Sequence, residues 1–478
     1  MTDTNMSSSA ISTTTSPGPP PAADQSPGTT PKKTIKAWTY TKGGLPRNCL
    51  HLTTDHPYPE FPPPSQQAPG SGNESPKEPE EWLLVKVTYA ALNPGEVLLM
   101  NLLPPLMSLA FSKSAGVPQV PVYDLTGTVL DSSPSSEEAD SSSRASDDDE
   151  GASSSSKFKK GSKVVAFLPV GFILSSKSGA LQEVISFPAK YAVLLPDKVA
   201  SPSASGASSS SSSGANTTQG GIDKLAAGLF LAGCTALAQI RDAALQPGQK
   251  VLVYGASGGI GSMAVQLARE AVGPEGKVVG VCSTRNLKPV FELGCCDFVM
   301  DYINPATIFT GEVEQDTIVE GAGSNQEGRT TKETIEQALA GMYDAEEVQF
   351  DAIIDCYGSQ TLYNYSAGYL KSDGVYSACG IHANGYGYAP ILASGWKLMI
   401  NALWPRTKWL GGTGRTWKAA SMFDPGREMM EYLVGLFSEG KLRVLVDSEW
   451  AFEDVLSGYE VLLSGRARGK IVIRVGGA

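Results

Sequence analysis

Val251-Leu252-Val253-Tyr254-Gly255-Ala256-Ser257-Gly258-Gly259-Ile260-Gly261 is the stretch whose reading decides the fold of this 478-residue chain. Its apolar opening predicts a short buried strand, its glycines a turn, and Ser262 to Arg269 an amphipathic helix. After Gly273-Pro274, the run Lys277-Val278-Val279-Gly280-Val281 predicts the next parallel strand. Together they make one βαβ unit of about 30 residues, the size of a dinucleotide-binding crossover. Gly258 and Gly259 let the backbone approach a pyrophosphate, whose charge a helix N-terminus favours. Gly261 lets the helix pack closely on the strand. Ala256, Ser257 and Ile260 complete the candidate cofactor turn.

The same residues fit a competing pattern. Gly255-Ala256-Ser257-Gly258-Gly259 matches the Gly-x-Ser-x-Gly nucleophile elbow, with Asp355 and His382 following in the order of a hydrolase triad. No His-Gly-Gly run upstream supplies an oxyanion loop, and an esterase has no use for Gly261. The cofactor reading is the better one.

The length exceeds one typical core, so two domains are expected. Residues 1–33 are rich in Ser, Thr and Pro, 131–157 in Ser, Asp and Glu, and 199–220 in Ser, Ala, Gly and Thr. Such compositions bury too little apolar surface to offset their ordering entropy, so all three are expected to be disordered. The net charge of −11 argues against nucleic acid as a main partner. The N-terminus lacks the apolar core of a signal peptide and carries no Arg before Arg47, so it makes a poor transit peptide. No uninterrupted apolar run reaches about 18 residues, so no membrane-spanning helix is expected and the cytoplasm is the expected compartment. The seven cysteines are scattered without a Cys-x-x-Cys and predict reduced, buried thiols.

The first 200 residues read as mostly β, with strands predicted over 34–42, Trp82–Tyr89, Tyr123–Leu130, Lys163–Phe167 and Tyr191–Leu195. From Leu225, helices alternate with the apolar strands Val251–Tyr254, Val278–Val281, Phe298–Met300, Ala352–Ile354 and Val375–Ala378, as in a doubly wound domain. A helix near Arg427–Phe437, a strand Leu442–Val446, a helix near Phe452–Leu463 and a strand Lys470–Val475 close the chain.

Ala90-Ala91-Leu92-Asn93-Pro94-Gly95-Glu96, Phe158-Lys159-Lys160-Gly161, Leu245-Gln246-Pro247-Gly248, Gly255 to Gly261, and Gly465-Arg466-Ala467-Arg468-Gly469-Lys470-Ile471-Val472 together carry a resemblance. The chain resembles the medium-chain dehydrogenase/reductase superfamily, and within it the zinc-independent quinone oxidoreductase branch, close to fungal members. The resemblance runs from about Ile35 to Val475 and implies an α/β protein with two domains. These are a GroES-like β-rich substrate domain (34–200) and a doubly wound Rossmann dinucleotide-binding domain (222–412), with 413–478 returning to the substrate domain. Zinc members would have Cys at Asn93 and Gly-His-Glu at Val122-Tyr123-Asp124, and the chain has only three His, so no metal is expected. The branch's usual Pro-Gly-x-Asp is Pro121-Val122-Tyr123-Asp124 here, and Glu96 replaces the more frequent Asp. Short-chain dehydrogenases need a Tyr-x-x-x-Lys pair, which this chain lacks.

The resemblance implies a metal-free reductase that transfers hydride from NADPH to a quinone or an α,β-unsaturated carbonyl. It places Asn93 and Tyr123 in the hollow that zinc would fill, as candidate catalytic donors. Thr235 and Cys379-Gly380 would border the nicotinamide, and His382 is read as a loop histidine. NADPH rather than NADH follows from the end of the second strand, Val281-Cys282-Ser283-Thr284-Arg285-Asn286, which holds no acid before Glu292. A carboxylate there would bind a ribose 2′-hydroxyl, whereas Ser283, Arg285 and Lys288 suit a 2′-phosphate. Tyr302 matches a family position bordering the same phosphate. A homodimer is the family expectation, paired through a strand near Trp409-Leu410-Gly411-Gly412. The alternative reading is an NADPH-binding interaction protein of the same fold with little turnover.

Overall fold

The computed structural model describes residues 33–62, 80–101, 116–133, 157–200, 219–311 and 334–476, apart from positions 346, 408, 410, 411, 421 and 423. The segments expected to be disordered lie almost wholly outside the described residues, as do Leu410 and Gly411 of the expected pairing strand.

Thr34–Ala478 forms one compact unit holding two seven-stranded sheets. The first sheet is organised by β3 (Trp82–Leu92), whose alternation buries Leu83, Val85 and Val87. It pairs antiparallel with β4 (Asp124–Ser132), β6 (Val184–Pro188) and β16 (Lys470–Arg474). β5 (Lys163–Phe167) and β7 (Ala192–Leu194) extend it on one side, and β15 (Val446–Ala451) closes the other beside β16. The C-terminal strands are therefore built into the sheet that the N-terminal half begins. A separate hairpin, β1 (Thr34–Thr39) with β2 (His51–Pro57), precedes it.

The second sheet runs in the order β11-β10-β9-β8-β12-β13-β14. Its strands are β8 (Lys250–Tyr254), β9 (Lys277–Cys282), β10 (Phe298–Asp301), β11 (Ile308–Phe309), β12 (Phe350–Asp355), β13 (Leu370–Ala378) and β14 (Thr416–Ala419). All pair in parallel except β11, which is antiparallel to β10. From β8 the chain builds outward through β9 and β10, then returns to the other flank of β8 with β12. The C-terminal ends of β8 and β12 thus form the switch point where such sheets bind ligands. The helices Phe230–Ala243 and Gly259–Val272 pack together on this sheet, with Ala236, Met263, Ala264 and Val265 fully buried.

Three expectations shift. The strand expected at Leu442–Val446 begins only at Val446, where it pairs with Lys470, while Leu442 and Val444 point into the core. β2 was missed because His51-Leu52-Thr53-Thr54-Asp55-His56-Pro57 offers no apolar alternation. The edge strand β14 lies beyond the expected Rossmann limit at 412. None of the seven cysteines is in a disulfide, and Cys49, Cys234, Cys282 and Cys296 are buried. Among the described residues, no single helix is long and apolar enough to cross a membrane.

Candidate functional site: a glycine turn against a buried polar hollow

At the end of β8 the chain turns at Gly255, whose φ is 76°. The amides of Gly255 and Ala256 both donate to the carbonyl of Val281 in β9, at 3.0 and 2.9 Å. A Cβ on Gly261 would lie 2.1 Å from the carbonyl oxygen of Gly255, so no side chain fits there. The helix Gly259–Val272 then starts from Gly258 with no side-chain cap. Its first-turn amides lack intrahelical partners, which suits an anion.

Asn286 ties the turn to the next strand end, donating to Ser257 Oγ at 3.0 Å and to Ser283 Oγ at 3.2 Å. Sequence reasoning passed over Asn286. Arg285 and Lys288 are exposed beside it, and the Arg285 guanidinium donates to the carbonyl of Arg466 from the returning segment. Tyr302 is exposed and its amide donates to the Cys282 carbonyl at 3.0 Å. The structure thus gathers Ser257, Ser283 and Arg285 at one edge of the turn.

Behind the turn lies a polar hollow closed from water. Asp124, Glu96, Lys470 and Asn93 are 0, 2, 3 and 4 % exposed. The Lys470 ammonium donates to Asn93 Oδ1 and sits 3.3 Å from Asp124 Oδ2. Asn93 Nδ2 faces the Ala91 carbonyl at 3.0 Å, Glu96 Oε1 at 3.0 Å and Asp124 Oδ2 at 3.1 Å. Glu96 also accepts from the amides of Asn93 and Tyr123 and from the Tyr459 hydroxyl. Asp124 Oδ1 accepts from the amide of Leu231, at the start of the helix Phe230–Ala243, at 3.0 Å. Burial pushes Glu96 up to about 8, although the Asn93 amide and Lys470 pull the other way. Burial likewise raises Asp124, against the pull of Lys470.

The two candidate catalytic residues differ here. The amide of Asn93 is fully engaged inside the hollow, leaving no hydrogen for a substrate. Tyr123 is buried and packs on Phe167, and among the described residues no partner hydrogen-bonds its phenol. Burial raises that phenol well above its ordinary range, so it keeps its proton at neutral pH. Val122 before it has φ 83° and is buried, holding a conformation that favours the glycine usual in the family. Thr235 bonds back to the Leu231 carbonyl of its own helix at 2.7 Å. Cys379 and Gly380 follow β13, the Cys379 amide bonding to the Asp355 carbonyl at 3.0 Å.

The hydrolase triad is not assembled. The Asp355 carboxylate accepts from the amides of Tyr357, Gly358 and Ser359 and from the Tyr376 hydroxyl. His382 stacks on Tyr357 with ring centroids 4.4 Å apart, and Ser257 is held by Asn286.

A GroES-type sheet is here joined to a doubly wound sheet with a glycine turn at its switch point. The comparisons with known proteins agree. Residues 330–473 match the family model described as zinc-binding dehydrogenase. A trans-enoyl reductase, poxH, of Penicillium oxalicum is 27 % identical over 92 % of this chain and 98 % of its own length. A quinone oxidoreductase from Coxiella burnetii has the same fold, at TM-score 0.56 and 21 % identity over 93 % of this chain and all of that one. So does a mycobacterial protein complexed with NADPH, at TM-score 0.55 and 17 % identity over 92 and 99 %. These likenesses support the medium-chain dehydrogenase/reductase superfamily and its quinone-oxidoreductase-like branch.

The metal named in that family description does not fit these residues. Among the described residues, no group of three or more His, Cys, Asp or Glu could hold an ion. The hollow itself already contains a cation, the ammonium of Lys470.

Proposed function

We propose that this protein is an NADPH-dependent reductase that transfers hydride to a quinone or an α,β-unsaturated carbonyl acceptor. The observation that carries the reading is the glycine turn opening an uncapped helix, with Ser283 and Arg285 at the adjoining strand end. The amides of that first turn would hold the pyrophosphate, and Arg285 with Ser283 would bind the 2′-phosphate. Lys288 and Tyr302 stand exposed nearby. Thr235, Cys379 and Gly380 lie on the nicotinamide side in this reading.

When bound, the nicotinamide supplies the hydride. Conjugation lets hydride add at the acceptor's carbon while charge collects on its oxygen. Tyr123 is then the donor to that oxygen, because its phenol is protonated and, among the described residues, unclaimed. Asn93 contributes differently from what its position suggested: it braces Glu96 and Asp124. The similarity to a trans-enoyl reductase along nearly the whole chain favours enones over plain carbonyls.

The test is NADPH oxidation against a panel of quinones and enones. Turnover is expected, and Tyr123→Phe should lower kcat by about a hundredfold. Tight NADPH binding with no acceptor reduced would favour the interaction-protein reading, and unchanged turnover in the variant would remove Tyr123 from the mechanism.

The protein is further proposed to pair with a second copy of itself. The helix Tyr388–Leu403 buries only Asn401 and exposes Tyr388, Leu392 and Trp396, which share one face by their four-residue spacing. This helix packs against the sheet's edge strand β14, so a two-fold mate would cover the apolar face and the open edge together. Sedimentation equilibrium should give a dimer, and a monomer would overturn the pairing.

A further inference from the structure

We propose that Lys470 is a positioning residue for hydride transfer, a built-in cation that fastens the substrate-side hollow to the cofactor turn. The inference rests on the reductase reading above.

Its ammonium lies between Asn93 and Asp124. These partners are 377 and 346 residues away in sequence, on the far side of the molecule's chain path. Through Asp124 the contact reaches the start of the helix Phe230–Ala243, and through Asn93 it reaches Glu96, Tyr459 and the backbone of Tyr123.

The stem of Lys470 is held at the other end by the turn. A Cβ on Gly259 would lie 3.0 Å from Lys470 Cδ, and one on Gly228 would lie 2.8 Å from Cγ. Both glycines leave the channel through which the stem runs. Gly469, just before it, donates to the Ser257 carbonyl at 2.9 Å and pairs with Gly258 as a short parallel bridge. Gly469 has φ 85°, and a Cβ there would strike the Leu445 carbonyl at 2.2 Å, so the backbone must pass at this point. One side chain therefore spans from the first residues of the cofactor helix to the residues flanking the proposed proton donor.

An ammonium on a four-carbon stem does this work differently from a metal ion. It cannot be exchanged or removed by a chelator, and its stem transmits position as well as charge. Loss of the strut should loosen donor and acceptor relative to each other while leaving each half able to bind. A misplacement of about 1 Å is enough to cost about a hundredfold in rate.

The experiment compares the wild type, Lys470→Met, and Lys470→Met combined with Asp124→Asn. Each is assayed for NADPH affinity by nucleotide fluorescence, for kcat on an accepted quinone or enone, and for fluorescence anisotropy of the bound nicotinamide. Lys470→Met should lower kcat by about a hundredfold and change NADPH affinity by no more than about threefold. The double variant removes the charge that Lys470→Met leaves buried alone, so it should regain thermal stability without regaining kcat. It also keeps the test decisive if the single variant does not fold. Wild-type turnover in either folded variant, or a rate loss that disappears when stability returns, would overturn the proposal. If the wild type reduces no acceptor, the reductase reading fails. The strut is then judged by anisotropy alone: a more mobile bound nicotinamide in both variants supports it, and an unchanged one sinks it.

Discussion

The glycine turn and the polar hollow behind it touch through Lys470, yet they are built by opposite means. At the turn, side chains are excluded: Gly261 admits no Cβ beside the Gly255 carbonyl, and the first helical amides are left uncapped. In the hollow, side chains are crowded, with four polar or charged groups almost fully removed from water and each satisfied by another. The turn needs contiguous residues and a sharp backbone. The hollow needs charge balance, and it draws its members from the segment that follows β3, from β4 and from β16. Sterics govern the first, electrostatics the second.

Three changes separate these regimes. Gly261→Val strikes backbone at 2.1 Å rather than a movable side chain, so the turn itself must give way. Overpacking of this kind costs about 3 kcal/mol or more, and NADPH binding by fluorescence titration should be lost. Retained binding would show that the turn is less constrained than its geometry. Arg285→Ala comes next: a charge-assisted bond contributes about 1.5–3 kcal/mol, so NADPH should weaken by about ten- to a hundredfold while NADH barely changes. An equal loss for both nucleotides would remove Arg285 from the 2′-phosphate site.

The third change belongs to the hollow. Burial holds Glu96 up to about 8 in the folded chain, above the ordinary carboxylate range. A raised pKa means that the folded state binds the proton more tightly. The resulting stability is complete in acid and is lost as pH rises through the window up to about 8. The slope from this one group is at most about 1.4 kcal/mol per pH unit. Denaturant melts from pH 5 to pH 8 should therefore show a decline that Glu96→Gln flattens. The same decline in both proteins would mean that Glu96 is ionised throughout.

Much of the doubly wound half was legible because its signals are local. Val251–Tyr254 predicted a strand, and it lies at the centre of the sheet. Lys470–Val475 predicted a closing strand, and it pairs with β3. Lys470 belongs to one of the stretches that carry the resemblance, but its partners are remote in sequence. A signal was present: a lysine opening the strand run Ile471-Val472-Ile473 at an inward position demands a buried partner. Asn286 and Tyr459 gave no such sign. The partners of Asn93 were not legible either, because a residue's free hydrogens depend on every partner that the fold brings to it.

Strand, turn, helix and strand were determined by the sequence alone, since hydrophobic period and glycine sterics act over a few residues. The absence of an acid before Glu292 is likewise a property of the chain as written. Only the tertiary structure decided that Asn93, Glu96, Asp124, Tyr459 and Lys470 share one dry volume. The reason is that a buried charge is compensated by whatever lies within a few ångströms in space, and spatial neighbours drawn from opposite ends of a chain leave no pattern along it.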